Sequence, residues 1–219
     1  MNRTNPETPR ATNREWFGLA VLALPWLLYS MDLTVLNLAV PKLRAALRPT
    51  NTELLWIVDI YGFVLAGALI PMGVLGDRIG RRRLLLIGAA AFGYASVLAA
   101  FAPNVDALIA ARACLGLAAA TLAPSTLSLL RSMFLDPQER TFAIGVWIAS
   151  FSAGGAIGPL IGGMLLQFFW WGSVFLINLP VMLLLLVVGP SLLPEFRDPR
   201  IAQRKKAMAH RARASFLSH

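Results

Sequence analysis

Residues 73–101 read GVLGDRIGRRRLLLIGAAAFGYASVLAAF, a turn holding three glycines, one acid and four arginines, followed by eighteen uncharged residues from Leu84 to Phe101. As a helix, an uncharged run of that length is enough to cross a hydrocarbon core of about 30 Å. Similar runs lie on both sides of it. Bounded by charges, Pro or Gly, they predict six spans at Trp16–Ala39, Glu53–Val74, Leu84–Phe101, Ala107–Leu130, Phe142–Leu166 and Trp171–Leu193. A transmembrane β-barrel would instead show alternating strands of about ten residues. The expected fold class is therefore an all-α membrane protein with six transmembrane helices.

The four arginines of that turn also orient the chain, because Lys and Arg close to a span are retained on the cytoplasmic side. Sixteen of the twenty cations fall in the N-tail, the second-to-third loop, the fourth-to-fifth loop and the C-tail, against Lys42, Arg44 and Arg48 in the alternate loops and Arg112 inside a span. Both termini are expected in the cytoplasm, which agrees with an even number of crossings. The expected division is a cytoplasmic N-tail over 1–15, a six-span bundle over 16–193 and a basic cytoplasmic tail over 194–219. That tail reads as solvated, or as a segment lying on anionic lipid.

Composition supports the same reading. The 219 residues are 57% hydrophobic and 14% charged, with a mean hydropathy of +0.65, far from the soluble mix of about 25% charged residues. A net charge of +9 would suggest nucleic acid on a soluble fold. Here the cations follow the loops, so the expected partner is a lipid bilayer and no nucleic acid. The single cysteine, Cys114, excludes an intrachain disulfide, and His210 and His219 stand in the tail without a ligand cluster. No nucleophile–base pair, metal cluster or nucleotide loop is legible, so no enzyme, no metal and no cofactor are expected.

Three features carry candidate function. The first is the turn itself. Gly73, Gly76 and Gly80 permit a tight turn and close helix approach, and Asp77 beside Arg78, Arg81 and Arg82 can form charge-assisted hydrogen bonds. Such a latch can be made and broken during a conformational cycle, although topogenic charge alone would also place arginines there. The second is Gly154, Gly158 and Gly162, spaced by four on one helical face, with Gly163 and with Pro159, which should bend the helix. This surface reads as a gate or as a static packing seam.

The third feature is charge inside the membrane: Asp32, Asp59 and Arg112. A charge at mid-bilayer costs at least about 2.5–3.5 kcal/mol on insertion scales, so such residues usually face a cavity and often carry function. A carboxyl at Asp32 can hold a proton or a cation but not both well, which is the minimal chemistry of exchange. A structural pair with Arg112 or a helix-terminus contact is the other reading, and the two are compatible. Arg112 does not discharge and needs a carboxylate, carbonyls or water. Asp59 is either a binding residue or a group reaching the outer interface. Trp16, Trp56, Trp170 and Trp171 fall at span ends as interfacial anchors, while Trp26, Phe63 and Trp147 lie deeper and suit either packing or contact with a cation.

These residues resemble the major facilitator superfamily, and within it the fourteen-span drug:proton antiporters. Gly73–Arg83 is similar to the superfamily signature between spans two and three. Gly154-x-x-x-Gly158-Pro159-x-x-Gly162-Gly163 resembles the fifth-span antiporter motif. Met31-Asp32-Leu-Thr34-Val-Leu-Asn37-Leu-Ala-Val-Pro41 resembles the first-span motif, and Leu108-x-x-x-Arg112-x-x-Leu115-Gly116 the fourth-span motif linked to proton transfer. At two positions of the latter, Leu115 and Ala118 stand where Gln and Gly are common. Trp171–Pro180, with Asn178, resembles the sixth-span motif.

The resemblance implies one bundle of two inverted three-helix repeats. It further implies Asp32 as cation and proton site, Arg112 as proton-coupling residue, and the proton motive force as energy source. Expected substrates are lipophilic or quaternary cations of the antiseptic and methyl viologen type. The expected location is a cell membrane, specifically a bacterial inner membrane. A second six-span bundle, from another chain or a homodimer, is the expected partner. Two other readings stand beside export: a truncated half-transporter without transport of its own, and a membrane-anchored interaction protein working through its basic tail.

Overall fold

The computed structural model describes residues 10–194. The tails beyond them, including Arg200–His219, lie outside the described residues. The chain forms α1 (Asn13–Leu47), α2 (Asn51–Ile79), α3 (Arg81–Ala100), α4 (Val105–Met133), α5 (Pro137–Phe168), α6 (Ser173–Leu176) and α7 (Asn178–Leu192), with no strand among the described residues. Counting α6 and α7 as one interrupted span, six are long and apolar enough to cross a membrane.

Local chemistry sets where the helices begin. The Glu53 amide donates to Thr50 Oγ1 at 3.3 Å while the Thr50 amide donates to Glu53 Oε2 at 2.7 Å, a reciprocal cap that satisfies two otherwise orphaned donors. Asn104 accepts from the Ala107 amide, and Asp136 accepts from Gln138 and Glu139 just before Pro137. Between α2 and α3 there is a single joint residue, Gly80, at φ 108°. A side chain is strained there, so glycine lets the chain reverse in one step.

The helices run past several expected span ends, α2 to Ile79 and α5 back to Pro137 among them, and two differences bear on packing. α1 continues through Pro41 to Leu47, about two turns past Ala39. Lys42 and Arg44 look like loop residues in the sequence, but Lys42 Nζ donates to the carbonyls of Leu166 and Phe169 at the end of α5. A cation there satisfies acceptors that the helix leaves open. The hydrogen-bond ladder of the sixth run is interrupted at Ile177, whose backbone stays helical at φ −61° and ψ −24°. Pro180 has no N–H for the carbonyl of Leu176, and its ring crowds that same group, so a continuous helix is disfavoured at this step.

Packing shows the repeat structure. α1 packs most extensively on α5 and α2 on α4; α3 packs on α4 and α7 on α1. Exchanging the first three spans with the last three maps each of these pairings onto another, and three crossings reverse direction, so the repeats are inverted. One end of the bundle gathers the alternate connections: Arg14 Nη2 donates to Ser191 O at 2.7 Å, Arg82 Nη1 to Pro190 O at 3.2 Å and Leu193 O at 3.0 Å, and the Ala11 amide to Glu139 Oε2 at 2.7 Å. These are the loops that carry the cation excess.

Burial is uneven. In the most apolar window of α4, 61% of residues are buried inside the bundle, against 17% in α2 and in α5. α5 nevertheless touches α1 closely along one line, where Gly154, Gly158 and Gly162 are buried. It runs through Pro159 as one element.

Candidate functional site

Asp32 and Arg112, eighty residues apart, meet inside the bundle. Arg112 Nη1 donates to Asp32 Oδ2 at 2.5 Å, with side-chain exposures of 1% for the arginine and 4% for the aspartate. Arg112 Nε donates to Ile57 O at 3.1 Å, and Nη2 reaches Val58 O at 3.5 Å. Its guanidinium carbon lies 4.5 Å from the Tyr61 ring centre and 6.0 Å from that of Phe175. The arginine is thus held by a carboxylate from α1, carbonyls of α2 and the face of an aromatic ring, which meets the demands of a buried guanidinium.

Asp59 is not part of this pair. It lines a cavity of about 370 Å³ together with Leu33, Leu36, Val58, Gly62, Phe63 and Arg112. Arg112 therefore has one side on Asp32 and another on a space that Asp59 borders. A carboxylate, a guanidinium and an aromatic ring around an otherwise apolar opening can hold a small charged group.

An aromatic cluster reaches the pair from the other side. Trp26 stacks on Trp147 with centroids 4.4 Å apart and on Tyr29 at 4.9 Å. Tyr29 lies 5.6 Å from Phe151 and 6.1 Å from Tyr61, whose ring supports Arg112. Trp147 Nε1 and Tyr61 Oη are buried without a hydrogen-bond partner. The sequence singles out Trp26 and Trp147 as deep aromatics but misses Tyr29, Tyr61 and Phe151. The signal was present in spacing: Trp26/Tyr29 are i,i+3 and Trp147/Phe151 are i,i+4, so each pair shares a face.

The glycine set of α5 lies on the turn of α1 that bears Asp32. A methyl group at Gly154 would fall on the Leu27 carbonyl, one at Gly158 on the Thr34 side chain and 3.2 Å from Met31 Cα, and one at Gly162 2.6 Å from Val35 Cγ1. Gly163 has no such neighbour. The seam therefore uses three of the four glycines.

At the turn between α2 and α3, Arg81 Nη2 donates to Asp77 Oδ1 at 2.6 Å. Gly76 lies beneath Arg81 and Leu84, whereas Gly73 has open space at its α-carbon and Arg78 is exposed. Arg82 joins this turn to the end of α7 through the two carbonyls already described. The latch residues are thus split between a pair that spans the Gly80 joint from α2 to α3 and a bond across the bundle.

Inverted three-span repeats, a buried carboxylate–arginine pair joining their first helices and a glycine seam behind the carboxylate coincide with the matched family model, Major Facilitator Superfamily, over residues 23–218. The chain belongs to the major facilitator superfamily. It is 55% identical over 194 residues to the multidrug efflux pump LfrA of Mycolicibacterium smegmatis, covering 89% of this chain and 38% of that protein. It is 46% identical over 181 residues to the methyl viologen resistance protein SmvA of Salmonella typhimurium, covering 83% of this chain and 37% of that one. The puromycin resistance protein pur8 of Streptomyces alboniger is 39% identical, with 84% of this chain and 36% of that protein covered. The chain thus spans little more than a third of the length of these superfamily relatives.

Proposed function

We propose that this superfamily chain is the first bundle of a proton-coupled exporter of lipophilic or quaternary cations, and that Asp32 is where proton and substrate exchange. The observation that carries this reading is the buried Asp32–Arg112 pair, whose arginine borders a cavity. A protonated Asp32 no longer binds Arg112 as an ion pair, whereas the arginine keeps its charge and its carbonyls on α2. An arriving organic cation competes for the same carboxylate, so its binding and proton loss are linked. The half-buried rings of Tyr29 and Trp26 suit flat or quaternary cations. The names of the relatives, a multidrug efflux pump and a methyl viologen resistance protein, agree with that substrate class.

Transport in this reading needs a second six-span bundle against the uncovered faces of α2 and α5, with both termini cytoplasmic and the chain in a bacterial inner membrane. Alternating access requires two bundles moving around one site. The test is ethidium transport in proteoliposomes with an imposed pH gradient, for the 219-residue chain alone and for the chain fused to the remaining half of a related exporter. The fusion is expected to transport and its Asp32→Asn variant to lose proton-coupled movement. Undiminished proton-coupled export by that variant refutes the assignment.

A further inference from the structure

Tyr61 is fully buried beside the ion pair, and among the described residues its hydroxyl finds no hydrogen-bond partner. An unpaired buried hydroxyl is destabilising, so its presence calls for an explanation. The contact with Arg112 does not supply one. A cation over an aromatic ring uses the ring and not the oxygen, so phenylalanine would hold the guanidinium as well.

The ring is fixed in place from α4. A methyl group at Gly116 would fall 2.4 Å from the Tyr61 carbonyl oxygen, so α2 lies directly on α4 at this turn. Arg112 Nε donates to Ile57 O one turn earlier on α2, and a helical side chain leans back toward that turn. The facing side of α1 is the one that bears Asp32: Tyr29, three residues before it, brings its ring to 6.1 Å from that of Tyr61. The guanidinium stands between, with its carbon 4.5 Å from the Tyr61 ring centre and Nη1 2.5 Å from Asp32 Oδ2. Carboxylate and phenol thus share one cation while the phenol oxygen stays unused.

No other charge competes at this point. α5 bears no charged residue after Arg140, and α6 and α7 bear none. On α4, Asp106 and Arg131 lie in the first and last turns. On α1 itself, Lys42 lies nearly three turns further on and is held by the end of α5. Asp59 of α2 is exposed and borders the cavity beside Arg112.

We infer that the Tyr61 hydroxyl is the second partner of Asp32: when the carboxyl takes a proton and releases Arg112, its new O–H donates to Tyr61 Oη. A neutral carboxyl in an apolar interior carries a donor that must be met, and the phenol oxygen is an unused acceptor close by. Arg112 meanwhile keeps its carbonyls on α2. The proton stays on Asp32 throughout, so Tyr61 is a positioning residue for the protonated state. This inference rests on Asp32 as the proton site, as proposed above, and not on the export of any cation.

Infrared difference spectra of the 219-residue chain in lipid nanodiscs, acid minus neutral, test it. The acid band lost in Asp32→Asn belongs to the protonated Asp32 carboxyl. In Tyr61→Phe that band should move to higher wavenumber, as a carboxyl band does on losing a hydrogen bond, whereas Tyr29→Phe should leave it in place. Reciprocally, the phenol C–O stretch should change on acidification in the parent and not in Asp32→Asn. At neutral pH, Tyr61→Phe should unfold no more easily than the parent, since the hydroxyl has no partner in the ion-paired state. An Asp32 band that ignores Tyr61→Phe overturns the inference and leaves the proton to water or a backbone carbonyl. So does a band moved by Tyr29→Phe instead, or a Tyr61→Phe protein destabilised at neutral pH. If Asp32→Asn loses no acid band, Asp32 is not the proton site and the proposed exchange falls together with this inference.

Discussion

Replacing Asp32 by Asn leaves the Arg112 guanidinium charged in a site where its side chain is 1% exposed. What remains to it are the carbonyls of Ile57 and Val58 and the Tyr61 ring. Those carbonyls already accept from their own helix four residues on, so they solvate the cation only in part. Removing one partner of a buried pair costs about 3–5 kcal/mol; the Asn oxygen still accepts one hydrogen bond, which puts Asp32→Asn near 3 kcal/mol. Arg112→Met should cost somewhat less, because Asp32 left alone can take up a proton. The double variant has no buried charge to stabilise and should lie within about 2 kcal/mol of the parent, since apolar replacement of a buried pair is often close to neutral. Unfolding of each protein in mixed micelles, with detergent as denaturant and helix content as readout, gives the cycle. A coupling of at least about 2 kcal/mol is expected. Single effects that add to within about 0.5 kcal/mol, as independent sites do, would refute the ion pair as the structural link between α1 and α4.

The same unfolding assay checks the glycine seam: Gly154→Ala pushes a methyl onto the Leu27 carbonyl and should cost about 1–3 kcal/mol, whereas Gly163→Ala, with open space around it, should be neutral or gain up to about 1 kcal/mol from helix propensity. If both variants behave alike, the seam is not a close contact. Asp136→Ala removes the acceptor for the amides of Gln138 and Glu139 and should cost about 0.5–2 kcal/mol. It should also speed amide exchange in the first turn of α5 while leaving α2 unchanged, and exchange that does not change would show that the cap contributes nothing.

The spans were legible because a bilayer imposes one simple requirement on sequence, a long run of uncharged residues. That requirement says nothing about the ends. Lys42 marked the start of a loop by composition, but its ammonium finds carbonyls at the end of α5, a partner more than a hundred residues away. Pro180 carried the opposite signal: it sits inside an apolar run, yet it interrupts the hydrogen-bond ladder there. The spacing of Gly154, Gly158 and Gly162 correctly indicated a close helix contact, because periodicity on a helix is a local property. Asp32 and Arg112 were each conspicuous as charges, and their pairing was one of two readings left open. That the two side chains meet needed the crossing of α1 and α4. The role of Tyr61 was hidden for the same reason, since one tyrosine in an apolar span looks like packing until the guanidinium above it is known.

The position of the ion pair within the packing scheme has a mechanical consequence. α1 is joined to α5 by the glycine seam and α2 to α4 by an extensive interface, while α1 and α4 share few direct contacts. Two of the best-packed pairs, α1–α5 and α2–α4, thus each draw one helix from each repeat, and they are joined through α3 and α7 as well as at the α1–α4 crossing. The Asp32–Arg112 bond crosses between them, and Arg112 carries it on to the backbone of α2. Neutralising Asp32 removes a link on the scale of a few kcal/mol without disturbing either pair internally. An equilibrium between two arrangements of the pairs changes by about tenfold for each 1.4 kcal/mol. In the proposed exchange, loss of this link when Asp32 is neutralised shifts such an equilibrium by about tenfold or more, against whatever the α3–α7 contact holds in place. The helices that would feel the shift most directly are α2 and α5, one from each pair, and these are the two whose outer faces the bundle leaves least covered.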